Sequence, residues 1–226
     1  MAIAAEVAPT RVVVESTPVA DPAPLGLGAF ALTTFMLSGH NATFIPDLIW
    51  VGCALFYGGL AQLLAGMWEF RNRNVFGATA FSTYGAFWMS FGIFIVLAEV
   101  SKSFAAGVAG ANAPNAGAWF LLSFAIFNTY MLLWATQVNV GVFLVFLTLE
   151  ATEILLAIGN FHAAHTGNGD NYWTHLGGWV GIATAAVAWY VSAAGVINGM
   201  KGRTVVPVGA PLHLGNGTTH RRHLHA

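Results

Sequence analysis

Two carboxyl groups sit inside an otherwise apolar run. FLVFLTLEATEILLAIG, residues 143–159, carries Glu150 and Glu153 near its middle. Three positions apart, they occupy adjoining faces of one helix. An ionised carboxylate at bilayer depth costs roughly 2.5–3.5 kcal/mol on insertion scales. No Lys or Arg stands at that depth in any other apolar run. Their partners are therefore hydroxyls, amides, backbone, water, another subunit or a proton. One reading makes them hydrogen-bonded glutamates that hold subunits together; the other places them on a proton or ion route.

Further polar groups are spread over other apolar runs: Thr33 and Thr34; Tyr57 and Gln62; Ser82, Thr83, Tyr84 and Ser90; and Asn128, Thr129 and Tyr130. Ser and Thr can bond the carbonyls of their own helix. Gln62 and Asn128 have no such local outlet. Polar residues on several helices of one chain suggest a lined route rather than a sealed bundle. His40 and Asn41, at the end of the first run, suit a pore mouth. His162, His165 and His175 share one loop, but without cysteines or an assured helical spacing they do not make a metal site. His213, His220, His223 and His225 belong to a C-terminal tail. Cys53 is the lone cysteine and reads as a small packing residue. No P-loop, dinucleotide fingerprint or nucleophile motif appears, so neither an enzyme nor a cofactor is expected. Nucleic acid is not an expected partner.

The elements that position these groups follow from composition. Of 226 residues, 57% are hydrophobic and only 8% charged, against about 25% charged in soluble domains. Too little charge remains to cover a globule, so the lipid bilayer is the solvent. Charge-poor windows of spanning length fall at about 25–43, 48–68, 76–98, 118–137, 138–159 and 175–198. The fourth and fifth are divided at ATQVNVG, where Gln137, Asn139 and Gly141 make the break. Six spans put both termini on one side. If that side is cytoplasmic, Arg11, Arg71, Arg73, Lys201, Arg203, Arg221 and Arg222 are inside and Lys102 alone is outside, as the positive-inside rule requires. Gly58, Gly59, Ala61, Ala65, Gly66, Gly177 and Gly181 offer close helix contacts. Trp50, Trp68, Trp119, Trp134 and Trp173 lie near span ends and read as interfacial anchors. No secretory signal is visible. Residues 1–20 read as a disordered arm, 21–209 as one all-α membrane transport domain, and 210–226 as a flexible His- and Arg-containing tail.

DPAPLGL (21–27), FYGGLAQ (56–62), FGATAFSTYGAFW (76–88), LLAIGN (155–160) and GRTVVPVG (202–209), in that order, resemble the acetate uptake transporter family. That family includes bacterial acetate/succinate permeases and fungal relatives linked to acetate uptake and ammonia export. The resemblance covers about residues 21–209. It implies six transmembrane helices, assembly as a homohexamer, a place in the cell membrane and a substrate route through each protomer. It also implies a hydrophobic constriction whose three side chains fall on Phe30, Tyr84 and Leu149. The family signature starts with Asn where this chain has Asp21, which lacks the amide donor and adds negative charge. The rest of the signature, Pro22, Ala23, Pro24, Leu25, Gly26 and Leu27, is kept. The prolines are tolerated at a helix start, whose free amides and dipole attract a carboxylate.

On this basis the chain is expected to be a membrane channel or transporter for acetate and related short carboxylates, including succinate. Thr33, Thr34, His40, Asn41, Tyr57, Gln62, Thr83 and Asn128 are the expected pore-lining groups. Glu153, four residues after Leu149, should lie one turn further out on the same face. Low dielectric favours a neutral carboxyl. Glu153, with Glu150, is therefore expected to link transport to a proton. An ammonium or ammonia route of the same fold, and a membrane protein without transport, are the alternatives.

Overall fold

The structure is a computed structural model that describes residues 19–109 and 112–212. Most of the expected N-terminal arm lies outside the described residues, as do His213, His220, His223, His225, Arg11, Arg221 and Arg222. Six long helices follow one another: α1 Ala23–Asn41, α2 Ile49–Arg71, α3 Val75–Val100, α4 Ala113–Ala135, α5 Val140–Thr166 and α6 Tyr172–Lys201. A helical stretch at Lys102–Phe104 and a π-helical turn at Ala105–Ala109 lie between α3 and α4. Among the described residues there is no strand.

Helices α2 to α6 are each long and apolar enough to cross a membrane. Helix α1, at 19 residues, carries no charged residue but is not among them. Its glycines, hydroxyl residues and terminal His40 and Asn41 dilute its hydropathy. The helices overrun most of the apolar windows. Span four starts at Ala113 rather than 118, and span five runs on to Thr166 rather than 159. Caps, not the end of apolar sequence, set these limits. Asn74, Asn139 and Asn171 accept hydrogen bonds from the first amides of α3, α5 and α6, and Gly167 and Gly202 end α5 and α6 with positive φ. Asp21 Oδ1 accepts from the Ala23 amide at 2.9 Å, with Pro22 and Pro24 at the same helix start.

The helices close a ring. Helix α1 packs on α2 and α6, α6 on α5, α5 on α4, and α2 on α3. Small residues permit this: a side chain at Gly58 would strike Thr33, and one at Gly181 would strike Ser38. The seam between α3 and α4 is closed by rings instead. Phe87 meets Phe120 and Phe124 at centroid distances of 5.2 and 4.8 Å. Helix α2 contains a π-helical stretch over Phe56–Ala61, within the FYGGLA motif. At the opposite end of α2, Glu69 is fully buried and accepts from Asn72 Nδ2 and Asn74 Nδ2 at 3.0 and 3.1 Å. It braces the turn into α3.

The GRTVVPVG segment folds back over α5 and α6. Asn198 accepts from the Val205 and Val206 amides and donates to the Val206 carbonyl. Val208 O accepts the otherwise free Gly141 amide at 2.8 Å. Trp68, Trp119 and Trp134 are exposed at helix ends, but Trp50 is not a surface anchor. Its indole donates to Asp47 at 3.1 Å and stacks on Phe91, which turns it inward.

Candidate functional site

Within the ring of helices lies a cavity of about 470 Å³, in the size range of small-molecule sites. Helices α1, α3 and α5 all run from the terminus-bearing end of the bundle to the opposite end. Along each, the first residue to line the cavity is Phe30, Tyr84 and Leu149 respectively. All three are buried. The Phe30 and Tyr84 rings meet edge-on, 5.9 Å apart. These side chains form the cavity floor. The other end reaches the loops, where His40, Asn41, Asp47, Glu99, Pro114 and Gly169 line it. His40 Nε2 stands 3.5 Å from Asp47 Oδ1. No Lys or Arg is among the lining residues.

The polar residues singled out in the sequence divide into two groups. Thr34, His40, Asn41 and Glu153 line the cavity. Thr33, Tyr57, Gln62, Thr83, Asn128 and Glu150 do not. Thr33 is turned to α2, beside Gly58, and donates to the Ala29 carbonyl at 3.0 Å. Tyr57 points its hydroxyl toward Gly28. Gln62 is buried, with Oε1 unpartnered. A helix offers only one face to the centre, so neighbours in sequence such as Thr33 and Thr34 separate.

Glu150 and Glu153 part in the same way and are joined through a chain of side chains. Asn128 Nδ2 donates to the Phe146 carbonyl at 2.9 Å and to Glu150 Oε2 at 2.7 Å. Thr129 donates to Glu150 Oε1 at 2.8 Å. These acceptors fix the amide, so Asn128 Oδ1 faces the Tyr84 hydroxyl, which donates to it at 2.9 Å. Glu153 Oε1 is 3.3 Å from the same hydroxyl. A phenol has one hydrogen. It satisfies Asn128 and Glu153 fully at once only when Glu153 brings a proton of its own.

Sequence reading passed over Trp88. It is buried, lines the cavity, and its Nε1 has no partner in the protein. Its position four residues after Tyr84 was the available signal. His165 Nδ1 donates to the Phe161 carbonyl, and His175 pairs with Asp170. Among the described residues no three His, Cys, Asp or Glu side chains converge on a metal-sized point.

A family model described as the GPR1/FUN34/yaaH family matches residues 3–211. The chain is 43% identical over 182 residues to "Accumulation of dyads protein 2" of Saccharomyces cerevisiae, covering 78% of this chain and 61% of that protein's length. It is 34% identical over 197 residues to "Succinate-acetate/proton symporter SatP" of Escherichia coli (strain K12), covering 86% of this chain and 97% of that one. Among solved structures, one titled "Structure of the bacterial acetate channel SatP" matches with a TM-score of 0.76 and 35% identity, over 85% of this chain and all of that one. With its long apolar helices and these relatives, the chain is a multi-pass membrane protein whose described residues form helices and no strand.

Proposed function

The chain belongs to the GPR1/FUN34/yaaH family, and we propose that it carries acetate and related short carboxylates, including succinate, across a cell membrane. One observation supports this above the rest: the cavity ends on Phe30, Tyr84 and Leu149, the three positions expected to form a constriction. A small carboxylate fits a narrow apolar neck that makes it shed water, followed by hydroxyls that replace the lost hydrogen bonds. The bacterial relatives, by name an acetate channel and a succinate-acetate/proton symporter, favour the same substrate class. In this reading all six helices span the bilayer, both termini are cytoplasmic, and protomers assemble as a hexamer with one route each. It is a transporter rather than an enzyme.

Glu153 makes the route proton-dependent. Its contact with Tyr84 calls for a carboxyl hydrogen, and a neutral Glu153 does not repel an anion. Flux is therefore greatest at acid pH and falls as pH rises through the titration of Glu153. The experiment is a pH-jump uptake assay of labelled acetate with purified protein in liposomes, with ammonium as competitor. Uptake that tracks the proton gradient supports the reading; absent uptake rejects transport.

A second reading, an ammonium or ammonia route, has one observation in its favour. The cavity mouth offers Asp47 and Glu99 carboxylates with the stacked rings of Trp50 and Phe91, and aromatic faces attract cations. Ammonium that moves without acetate, or that blocks acetate competitively, would shift the assignment.

A further inference from the structure

The Tyr84 hydroxyl has one hydrogen and two acceptors within reach. Asn128 Oδ1 lies at 2.9 Å and Glu153 Oε1 at 3.3 Å. Asn128 is not free to turn its amide over, because Nδ2 is taken by the Phe146 carbonyl and by Glu150 Oε2. Thr129 holds the other Glu150 oxygen. The ring of Tyr84 has only other rings about it: Phe30, Phe87, Phe124, Phe127 and Phe146, at centroid distances of 5.5 to 6.4 Å. A hydrogen bond weakens steeply with angle, so the partner of the hydroxyl sets where the phenol sits among them. Asn128, Glu150 and Glu153 all lie outside the sequence segments that carry the family resemblance.

From this competition we infer that Asn128 and Glu153 are the two seats of a switch for the Tyr84 phenol, and that the proton on Glu153 sets the bore of the neck. With Glu153 neutral, its O–H donates to the Tyr84 oxygen and Tyr84 donates to Asn128, so each hydrogen has an acceptor. With Glu153 ionised, a charged acceptor claims the single phenol hydrogen, and hydrogen bonds to ionised groups are the stronger kind. The phenol then leaves Asn128 on α4 for Glu153 on α5. Glu153 stands one turn from Leu149 on the same helix face, so this move brings the phenol over Leu149 and narrows the neck. Asn128 is a positioning residue that acts through Tyr84, and Glu150 secures it. The inference rests on the transport reading for the use of the neck. It adds that the proton works on the opening itself and not only on the repulsion of a passing anion.

The other titratable groups on the elements around Glu153 are few. Helix α3 brings the Tyr84 hydroxyl and, at the cavity mouth, Glu99; α1 brings His40, and the loop before α2 brings Asp47. On its own helix, Glu150 is held by Asn128 and Thr129, and His162 and His165 lie more than two turns further along. Helix α4 brings Tyr130, whose ring lies against Phe127 beside Tyr84. Helix α6 presents no charged side chain to the cavity. No Lys or Arg lines the cavity to hold Glu153 ionised without the phenol.

The test uses the full chain in liposomes and has two arms. The first is solid-state NMR on wild-type protein carrying ¹³C-tyrosine and ¹³C-asparagine, which reads the dipolar coupling between Tyr84 Cζ and Asn128 Cγ. The coupling should weaken as pH rises through the titration of Glu153 and should hold steady in Glu153→Gln. The second arm follows uptake of labelled acetate in Tyr84→Phe, which keeps the ring and removes the hydrogen. Glu153 still titrates there, but the neck no longer follows it, so the several-fold decline of uptake with rising pH should be lost. A wild-type coupling that stays constant across that pH range overturns the switch, as does a wild-type pH profile in Tyr84→Phe. The first arm decides on wild-type protein even if a variant fails to fold. A coupling that responds to pH in a protein that moves no acetate would leave the switch standing and remove the transport reading; acetate flux with a constant coupling would do the reverse.

Discussion

At the scale of single residues, the site is governed by hydrogen-bond supply. Asn128 is fully buried and ties Tyr84 to Glu150. Asn128→Leu removes partners from both, and a buried group left unpaired costs about 1–3 kcal/mol. A fall in the thermal midpoint of the purified protein should show this, accompanied by a changed pH profile because Tyr84 can then donate to Glu153. Glu153→Gln has no proton to lose, so acetate uptake should be flat across the pH range where wild-type uptake declines. Retention of the wild-type slope in that variant would end the proton-linkage proposal. Phe30→Ala and Tyr84→Ala open the floor of the cavity. Each should change the initial rate of labelled acetate uptake several-fold, and unchanged rates would mean that the neck lies elsewhere.

At the scale of helices, close approach and caps do the positioning. Gly85 sits against the backbone of Leu63, so that an added methyl would lie 2.6 Å from the Leu63 amide nitrogen. Gly85→Val drives α2 from α3, at the ~1–3 kcal/mol typical of overpacking. The expected readout is loss of the monodisperse peak in fluorescence-detected size exclusion. The back-folded GRTVVPVG segment depends similarly on Asn198, whose side chain makes three hydrogen bonds to it. Asn198→Ala should free the segment, seen as faster amide exchange at Val205 and Val206. That motif was legible in the sequence as a family mark. Its work, satisfying the start of α5 through Val208, was not, because nothing in the string shows which helix start it reaches.

At the scale of the molecule, the exposed apolar surface and the buried polar chain describe one object: lipid-facing helices around a cavity without fixed positive charge. The proposed orientation can be tested with single cysteines in a Cys53→Ala background. A cysteine at position 201 should be labelled from the cytoplasmic side by a membrane-impermeant reagent, and one at position 102 from the other side. The proposed hexamer predicts a mass six times the 23.9 kDa of the chain in detergent-corrected light scattering.

The resemblance carried by its motifs supplied the candidate constriction, while the string of residues by itself determined the solvent, the approximate helices and the motif-bearing segments. Charge-poor runs of spanning length leave little choice there. It did not determine which polar residues meet. Thr33 and Thr34, or Glu150 and Glu153, could not be assigned to the cavity or away from it by pattern. In water an apolar stripe marks the inward face of a helix. In lipid the outward face is just as apolar, so periodicity loses its direction. Only packing decided it: small residues set how close α1, α2, α3, α5 and α6 could come, and that closeness turned Thr34, Trp88 and Glu153 inward, one turn above Phe30, Tyr84 and Leu149.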